Sequence, residues 1–362
     1  RRAGPTEEAA APDPGTEEGD DENGESEESE GEAEGSEGTI AIGTYEGALL
    51  GLSVEDGTQV FGYAPHQGMM KALHCNPKGI LASGGTDNSV RLYDVVKRLE
   101  QGELVEHEDT ITCARFWGTT TLITGDAQGT VCVWRTGEWE MKLKFRAHKE
   151  GVVSIAIHPS GRLMATAGKD RGLRLWDLTR GTSAANLAVA DMVETLEWSP
   201  DGRYVAGLNG KELLVVDAWR SSVAHFRDPG SSGLMRISLT SMMFLSEENV
   251  LVGDGKGDLR VLERGGSTES PTLAEVCKLA VEGTRSRVKA LARGLARPWD
   301  GLFVAGASDG TVEVWTVEGK LTDPEAYSRL WAVETQVRLT CMALWRVDDI
   351  QESWVKSDAA KA

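Results

Sequence analysis

His148 and Asp170 are the residues whose types first suggest chemistry, because an imidazole and a carboxylate can act together as base and acid. They lie in the segment HKEGVVSIAIHPSGRLMATAGKDRGLRLWDL, which also contains two tight-turn sequences and a Trp-Asp pair. Two interpretations are open: an active site, or one unit of a repeated scaffold. Recurrence separates them, since catalysis usually needs a single constellation whereas a structural motif returns in several units.

The segment belongs to an internal repeat with a period of 41 residues. His66, His107 and His148 follow one another at this interval, and each precedes a run rich in β-branched or apolar residues. Turn positions at the same interval are Asn76, Trp117, His158 and Ser199. Each period contains four short strand patterns separated by tight turns, which is typical of one blade of a β-propeller.

Weaker copies of the pattern complete a ring. Sequences that start at Val193, Ser238 and Arg287 supply a fifth, a sixth and a seventh blade. The N-terminal part of the repeat region supplies only three strands, and the segment QVRLTCMALWRV at 336–347 supplies one. We therefore predict an all-β, seven-bladed propeller over residues 39–347 that is closed by pairing of its N- and C-terminal strands, which removes free sheet edges.

The ends of the chain differ in composition from the repeat region. Residues 1–38 contain fifteen Asp and Glu against two Arg, and so carry −13 of the total charge of −19. Such a segment cannot bury enough apolar surface to offset the entropy of ordering it, so we predict a disordered acidic tail. Its charge disfavours direct contact with nucleic acid. Residues 348–362 are predicted to form a C-terminal tail.

Metal, cofactor and membrane signals are weak. The five cysteines are scattered and never form a C-x-x-C pair, which predicts buried free thiols in a reducing compartment without a zinc site. The glycine-rich segment 253–258 lacks the spacing of a phosphate-binding loop and favours a turn between strands. The chain has no run of 18 apolar residues, so we predict no membrane span. We predict no metal and no cofactor.

The repeats resemble those of WD-repeat propellers in their histidine, their Asp-containing turn and their Trp-Asp ending. Three longer strings, YDVVKRLEQGELVEHEDTITCARFWG, VWRTGEWEMKLKFRAHKEGVVSIAIHPSGRL and ETQVRLTCMALW, resemble the Pak-kinase-interacting WD-repeat protein family. That resemblance implies a nucleolar ribosome-assembly factor, and animal members are also described as inhibitors of the kinase. Two features depart from the family: the chain ends in KSDAAKA where members typically carry a lysine-rich tail, and it has the acidic extension.

The resemblance implies a structural role for the polar residues of the opening segment. In WD repeats a histidine, a hydroxyl, a turn aspartate and a tryptophan form a buried hydrogen-bond relay. The matching residues here are His148, Ser154, Asp170 and Trp176. Other blades match in part. Blade 2 has His66, Asp87 and Tyr93 but Ala72 at the hydroxyl position, and blade 3 has His107 and Trp134 but Cys113 at the hydroxyl position and Gln128 in place of the aspartate. Blade 7 has Asp309 and Trp315. We therefore expect a complete relay in blade 4 alone and no catalytic residue.

Partner binding is expected in the loops of the propeller faces, because the strands hold loop side chains in fixed positions. The candidate residues are His107, Asp109, Lys149, Arg171, Arg287, Lys289 and Arg338. Arg338 is the first choice because it lies in the closing string VRLTC; a buried role at the closure is its alternative, and a solvated loop residue is the alternative for the others. Turn residues Trp117, Trp139 and Trp299 could anchor an interface or pack between blades.

The sequence thus leads to four functional hypotheses. The first is a non-enzymatic scaffold for large ribosomal subunit assembly in the nucleus and nucleolus, a monomeric propeller that docks ribosomal or ribosomal-like proteins and other assembly factors, with RNA contacted only indirectly or weakly and no membrane. The second is a signalling adaptor that binds and inhibits a Pak-type kinase. The third, from the acidic tail, is an escort of histones or other basic proteins. A propeller hydrolase comes last, because several channel-facing carboxylates would be needed and none are evident.

Overall fold

The computed structural model describes residues 38–187, 189, 191–219, 223–227, 238–266, 271–279, 286–294 and 301–346. The predicted acidic tail up to residue 37 and the predicted C-terminal tail at 348–362 lie outside these residues. The described chain forms seven four-stranded antiparallel sheets, which are the seven blades of a β-propeller. The predicted all-β propeller fold is therefore confirmed.

Blade 1 contains the two ends of the repeat region. Its strands, from the ring axis outward, are β28 (Leu339–Arg346), β1 (Gly38–Thr44), β2 (Leu49–Ser53) and β3 (Gln59–Tyr63). Strands β28 and β1 pair antiparallel along their whole length, from Gly38 opposite Arg346 to Thr44 opposite Leu339. The predicted closure by N- and C-terminal strands is confirmed, and it leaves no unpaired edge between blades 7 and 1.

The other six blades follow in chain order. Blade 2 has β4 (Met70–Cys75), β5 (Ile80–Gly85), β6 (Val90–Asp94) and β7 (Leu99–Leu104). Blade 3 has β8 (Ile111–Trp117), β9 (Thr121–Asp126), β10 (Thr130–Arg135) and β11 (Glu140–Arg146). Blade 4 has β12 (Val152–Ile157), β13 (Leu163–Gly168), β14 (Leu173–Asp177) and β15 (Thr182–Leu187).

Blades 5 to 7 have the same plan. Blade 5 has β16 (Thr195–Trp198), β17 (Tyr204–Leu208), β18 (Glu212–Asp217) and β19 (Val223–Arg227). Blade 6 has β20 (Leu239–Phe244), β21 (Asn249–Asp254), β22 (Leu259–Gly266) and β23 (Pro271–Leu279). Blade 7 has β24 (Val288–Arg293), β25 (Leu302–Ala307), β26 (Thr311–Val317) and β27 (Tyr327–Glu334), with a short 3₁₀ helix at Pro324–Ala326 before β27.

The apolar core lies between the blades. The described residues form seven buried apolar clusters, one between each pair of neighbouring blades. In one of them, Leu92 and Ala82 of blade 2 pack against Ile111 and Leu122 of blade 3. A strand with both faces buried needs apolar residues on both sides, which explains why the inner strands read as continuous apolar runs instead of alternating.

The innermost strand of each blade contacts the innermost strand of the next, and together these strands line a central channel. We call the face where the innermost strands begin the relay face, and the opposite face the exit face. The start of each innermost strand meets the turn between the second and third strands of its blade; Lys169 N–H, for example, donates to Gly151 O at 2.9 Å and Tyr45 N–H to Arg338 O at 2.9 Å. Both kinds of segment therefore lie on the relay face.

Candidate functional site

Blade 4 contains a continuous relay of four side chains. His148 Nδ1 lies 2.8 Å from Asp170 Oδ1, and its Nε2 lies 2.9 Å from Thr166 Oγ1. Trp176 Nε1–H donates to the same threonine oxygen at 2.9 Å. An indole nitrogen can only donate, so the threonine hydroxyl donates its own proton to Nε2, and the neutral imidazole donates from Nδ1 to the carboxylate. Each of the four polar side chains of this relay then has a hydrogen-bond partner.

The hydroxyl of this relay belongs to Thr166, so the prediction of Ser154 is wrong. The imidazole lies over the end of β13, where a Cβ on Gly168 would come within 2.2 Å of His148 Nδ1. Side chains two residues apart in a strand share a face, so Thr166 lies under the same ring. Ser154 lies on the innermost strand and faces blade 5, where its Oγ accepts the Leu196 N–H at 3.0 Å.

Blade 3 contains a second complete relay. His107 Nδ1 lies 2.8 Å from Asp126 Oδ2, and Thr124 Oγ1 lies 2.7 Å from His107 Nε2 and 3.0 Å from Trp134 Nε1. The expectation of a complete relay in blade 4 alone is therefore wrong. The repeat pattern predicts the aspartate in the turn, at the position of Gln128. Asp126 is the last residue of the preceding strand β9, and its carboxylate still reaches the histidine.

His107 is not a partner-binding residue. Its side chain is only 1% exposed and is consumed by the relay. The prediction failed because His107 comes just before strand β8, where a loop residue is expected. Its ring instead points inward and contacts Thr124 and Asp126 of strand β9. The residues on either side of it, Glu106 and Glu108, are both exposed, and the sequence analysis selected neither.

Blade 2 has the connectivity of a serine hydrolase triad. His66 Nε2 lies 2.7 Å from Ser83 Oγ, and His66 Nδ1 lies 2.9 Å from Asp87 Oδ1. Ser83 has no exposed surface, so no substrate carbonyl can approach its oxygen. The aromatic residue of this blade is Tyr93, whose buried hydroxyl has no hydrogen-bond partner in the part of the chain that the structure describes. Blade 2 is thus a relay from which the terminal indole donor is missing, and it cannot carry out nucleophilic attack.

Blades 6 and 7 replace the relay with charged groups. In blade 6 the buried guanidinium of Arg260 lies 3.1 Å from Asp254 Oδ2 and 3.1 Å from Glu275 Oε2. In blade 7 the indole of Trp315 donates to Glu313 Oε2 at 3.1 Å, and Glu313 Oε1 accepts from Arg329 at 3.0 Å. The predicted partial match in blade 7, Asp309 with Trp315, is therefore not a contact: Asp309 is exposed and accepts the Thr311 N–H at 3.0 Å, while the Trp315 indole donates to Glu313.

The blade 4 relay keeps Asp170 ionised and His148 neutral. Burial lowers the pKa of His148 below 6.5, against the opposing effect of its bond to Asp170. Burial by itself would raise the pKa of Asp170, but hydrogen bonds from Lys149 N–H, His148 and Gly172 N–H outweigh it and lower the pKa to about 2. Both groups therefore resist protonation in the folded state, as expected of a structural group locked in one protonation state.

The remaining six predicted docking residues all lie on the relay face. Lys149 and Arg171 are exposed in blade 4, and Arg171 sits in the left-handed backbone region with φ 57°. Asp109 in blade 3 is half-buried and accepts the Thr110 N–H at 2.7 Å.

The other three lie in blades 7 and 1, where Arg287 is exposed and Lys289 is half-buried. Arg338 is exposed and its guanidinium lies 4.4 Å from the ring centroid of Tyr45, so it does not have the buried role that was its alternative.

The turn tryptophans have different roles. Trp117 donates its indole N–H to Pro159 O of the next blade at 3.3 Å and covers Gly161, so it packs between blades. Trp139 packs against the cluster between blades 2 and 3, with its ring edge toward Phe116 at 6.5 Å. Trp299 lies outside the described residues.

The central channel widens into a cavity of about 840 Å³ toward the exit face. Its described walls include Arg115, Arg293 and Glu197, and Glu197 lies 3.9 Å from the Arg293 guanidinium. The positions one and three periods before Glu197 are Ala156 and His74, which are not acidic, so this carboxylate does not recur on those innermost strands. The other carboxylates of the described lining, Glu247 and Glu248, are exposed in the turn after β20. Burial lowers the pKa of His74 to about 3, so this imidazole is neutral.

Metal and membrane chemistry have no support among the described residues. No group of three or more His, Cys, Asp and Glu side chains in that part of the chain is placed to hold a metal ion. No helix of the described chain is long and apolar enough to cross a membrane. The five cysteines carry free thiols; Cys341, on the channel-lining strand β28, is half-buried and the other four are buried.

Comparisons with known proteins identify the family. Residues 99–135 and 139–177 match the model of the WD domain, G-beta repeat, and these two segments contain the complete relays of blades 3 and 4. A chicken protein named p21-activated protein kinase-interacting protein 1-like is 31% identical over 332 residues, covering 89% of this chain and 84% of the relative. The chain belongs to the p21-activated kinase-interacting protein 1 family. The family resemblance inferred from the three strings is thereby confirmed.

Other relatives extend the comparison beyond this family's vertebrate members. Shk1 kinase-binding protein 15 of fission yeast is 26% identical over 310 residues, covering 83% of this chain and 81% of the relative. A rice protein named small ribosomal subunit protein RACK1y is 27% identical over 114 residues, covering 31% of this chain and 34% of the relative. The p21-activated kinase-interacting protein 1 family is thus the group to which nearly the whole propeller aligns.

Proposed function

We propose that this chain is a non-enzymatic scaffold in the assembly of the large ribosomal subunit precursor in the nucleolus. It acts as a monomeric propeller within a larger complex and docks ribosomal or ribosomal-like proteins and other assembly factors on its relay face. The acidic tail and any RNA contact are secondary to this role.

The observation that carries the scaffold role is the division of polar residues between interior and face. The histidines, hydroxyls and aspartates that look reactive are buried in relays, as in blade 2 where Ser83 is inaccessible. Exposed charged residues, among them Lys149, Arg171 and Arg338, lie on the relay face. A face held by seven sheets presents side chains at fixed spacing, which suits protein recognition.

Support for a ribosomal role comes from resemblance. The three strings quoted above resemble a family of nucleolar assembly factors, and each of them contains the start of an innermost strand, which lies on the relay face. The rice relative with the shorter match is itself named as a small ribosomal subunit protein. Neither observation names a partner for this chain.

Sedimentation tests the proposal. The full chain is tagged and nuclear extract is separated on a sucrose gradient, with and without salt extraction of the particles. We expect the protein to co-sediment with large-subunit precursors and depletion of the protein to reduce those precursors. Recovery of the protein only in the free fraction, with normal precursor levels after depletion, would overturn the proposal.

A signalling adaptor that inhibits a Pak-type kinase is the second candidate. It is favoured by the printed names of the relatives in chicken and fission yeast, which describe those proteins as kinase-interacting or kinase-binding. The test is direct binding of the purified chain to the regulatory region of such a kinase, with kinase activity as a second readout. Binding that inhibits the kinase supports the adaptor; the absence of binding removes it.

A further inference from the structure

A β-bulge recurs where the innermost strands begin. In six blades the register of the first strand pair shifts at this point, for example between Met70 and Ala72 in blade 2 and between Val288 and Ala290 in blade 7. The residue at this position in successive blades, starting from blade 1, is Thr340, Lys71, Thr112, Val153, Glu194, Thr240 and Lys289. Bulges redirect side chains, and here they form a ring around the relay-face mouth of the channel.

Three members of this ring satisfy backbone groups. The hydroxyls of Thr112, Thr240 and Thr340 donate to glycine carbonyls of the neighbouring strands at 3.1, 3.2 and 3.0 Å. Lys71 and Lys289 occupy the same position in the two blades that flank blade 1, and each brings a positive charge to the mouth. Charge at these two positions has no role in the bulge itself, since uncharged residues occupy it in four other blades.

The two lysines continue into a larger patch that we call the cationic crescent, formed by Tyr45, Lys71, Arg287, Lys289 and Arg338. Arg338 and Tyr45 stack at 4.4 Å, and the Tyr45 ring remains 46% exposed. Arg287 is two residues from Lys289, and burial together with the nearby Arg287 charge lowers the pKa of Lys289. Among the described residues, none of the four cations has a carboxylate within 4.0 Å.

The cations of blade 4 on the same face differ from the crescent. There Arg174 is held by Asp170 at 3.0 Å, and exposed Lys149 is followed directly by exposed Glu150. Arg174 is thus neutralised by its neighbour, whereas exposed Lys149, Lys169 and Arg171 differ from the crescent in place, because blade 4 brings the uncharged Val153 to the channel mouth. Four cations in one sector, without a carboxylate partner among the described residues, repel each other. An anionic partner would relieve that repulsion and would meet a guanidinium that is already oriented by its stacking on Tyr45.

We propose that the cationic crescent is the docking site for an acidic, Asp- or Glu-rich segment of a partner protein. The inference rests on the proposed scaffold function, because it assigns a partner chemistry to part of the relay face. Basic ribosomal proteins do not suit this sector and would dock elsewhere on the face. Exposed Glu46 and Asp309, together with Glu194 across the channel mouth, border the crescent. A short acidic segment fits between these carboxylates better than a nucleic acid, whose continuous phosphates would meet them.

Fluorescence anisotropy with labelled polyglutamate as the probe tests the crescent in the full chain. The double variant Arg287→Glu/Arg338→Glu should weaken binding at least about tenfold, because two attractive contacts become repulsive. The matched control Lys149→Glu/Lys169→Glu changes two exposed cations of the same face in blade 4 and should change affinity by less than about twofold. Unchanged melting temperatures of both variants show that folding is intact, as expected for exposed residues.

Three results would overturn the crescent as an acidic-peptide site. They are equal loss of affinity in both double variants, no binding of polyglutamate at low salt, or tighter binding of a single-stranded polyuridine RNA than of polyglutamate. The gradient experiment separates this inference from the scaffold role. If the wild-type protein co-sediments with the precursors but peptide binding does not depend on the crescent, only the crescent proposal is removed. If peptide binding depends on the crescent but the protein stays in the free fraction, only the ribosomal role is removed.

Discussion

Blades 4 and 6 meet the same structural need with different chemistry. In both, an aspartate pins the turn between the second and third strands: Asp170 accepts the Gly172 N–H at 3.0 Å, and Asp254 accepts the Lys256 N–H at 2.8 Å. Blade 4 holds its aspartate through a neutral histidine and the partly exposed guanidinium of Arg174, whereas blade 6 uses the buried guanidinium of Arg260. The comparison teaches that these two blades fix the same turn carboxylate with different partners, and that the histidine is one of them.

The two arrangements differ in the stability that is lost when one group is removed. A relay that loses its threonine or its tryptophan leaves one or two buried dipoles unsatisfied, each at a cost of about 1–3 kcal/mol. An ion pair that loses its cation leaves an uncompensated buried charge, at about 3–5 kcal/mol. Both blades also depend on the closed ring, because each buries its apolar sides only against its neighbours.

Removal of the closing strand should have the largest effect on either blade. A chain truncated before Gln336 lacks β28, exposes the edge of β1 and opens the clusters on both sides of blade 1. We expect no cooperative thermal transition in this variant. A chain truncated after Val347 keeps β28 and is the matched control, with an expected melting temperature equal to that of the full chain. Cooperative unfolding of the shorter chain at the same temperature would show that closure is dispensable.

The charged solution of blade 6 should be the most sensitive to a single substitution. Arg260→Ala leaves Asp254, which is fully buried, without its cation, and should lower the free energy of unfolding by about 3–5 kcal/mol. Arg135→Ala is the control, because Arg135 and its partner Glu138 are both more than half exposed. We expect a much smaller loss there, because water screens an exposed ion pair. Similar losses in chemical denaturation of the two variants would contradict the distinction.

The relay of blade 4 should make the stability of the protein depend on pH. Folding lowers the pKa of His148 below 6.5 and the pKa of Asp170 from 3.8 to about 2. Both shifts favour the folded state when the groups are deprotonated. Their stabilisation is thus complete above pH 6.5 and declines as the pH falls, first through the histidine and below 3.8 through the aspartate. His148→Asn should show a shallower loss of stability from neutral pH to pH 5 than wild type; parallel curves would remove His148 as the source.

The smallest expected change in stability is in blade 2, where the substitution should be neutral or stabilising. The buried Tyr93 hydroxyl has no partner, so Tyr93→Phe removes a desolvated polar group without removing a hydrogen bond. We expect the free energy of unfolding to stay constant or to rise by up to about 1 kcal/mol. Tyr63→Phe is the control, because its hydroxyl donates to Arg98 O at 2.6 Å and its loss should be mildly destabilising. Clear destabilisation by Tyr93→Phe would mean that its hydroxyl has a partner.

The sequence period was enough to predict the architecture. Because the side-chain pattern repeats every 41 residues, the turns at Asn76 and Ser199 fixed the register of four blades, and the register revealed the weaker blades and the shared closing blade. Closure followed because three strands at one end and one at the other complete a sheet. These features depend on chain order and spacing alone, which a sequence contains in full.

Side-chain contacts within a blade were harder to predict. Position in the repeat does not say which strand's hydroxyl lies under the histidine ring, and so Ser154 was chosen where Thr166 makes the contact. Asp126 was missed because an aspartate one or more positions away along the turn can still reach the same imidazole. The bulge that directs Lys71 and Lys289 to the channel mouth is a property of strand pairing, with no signature in either strand alone.

Unfolding of Thr166→Val by chemical denaturant tests most directly whether the reactive-looking residues are structural. Valine keeps the shape of threonine but removes the oxygen that joins His148 to Trp176, so both buried nitrogens lose a partner. We expect a loss of about 2–5 kcal/mol, against about 1 kcal/mol for Ser154→Ala, with co-sedimentation retained below the new melting temperature. Unchanged stability of Thr166→Val together with loss of co-sedimentation would contradict the structural role and make the blade 4 residues part of the functional site.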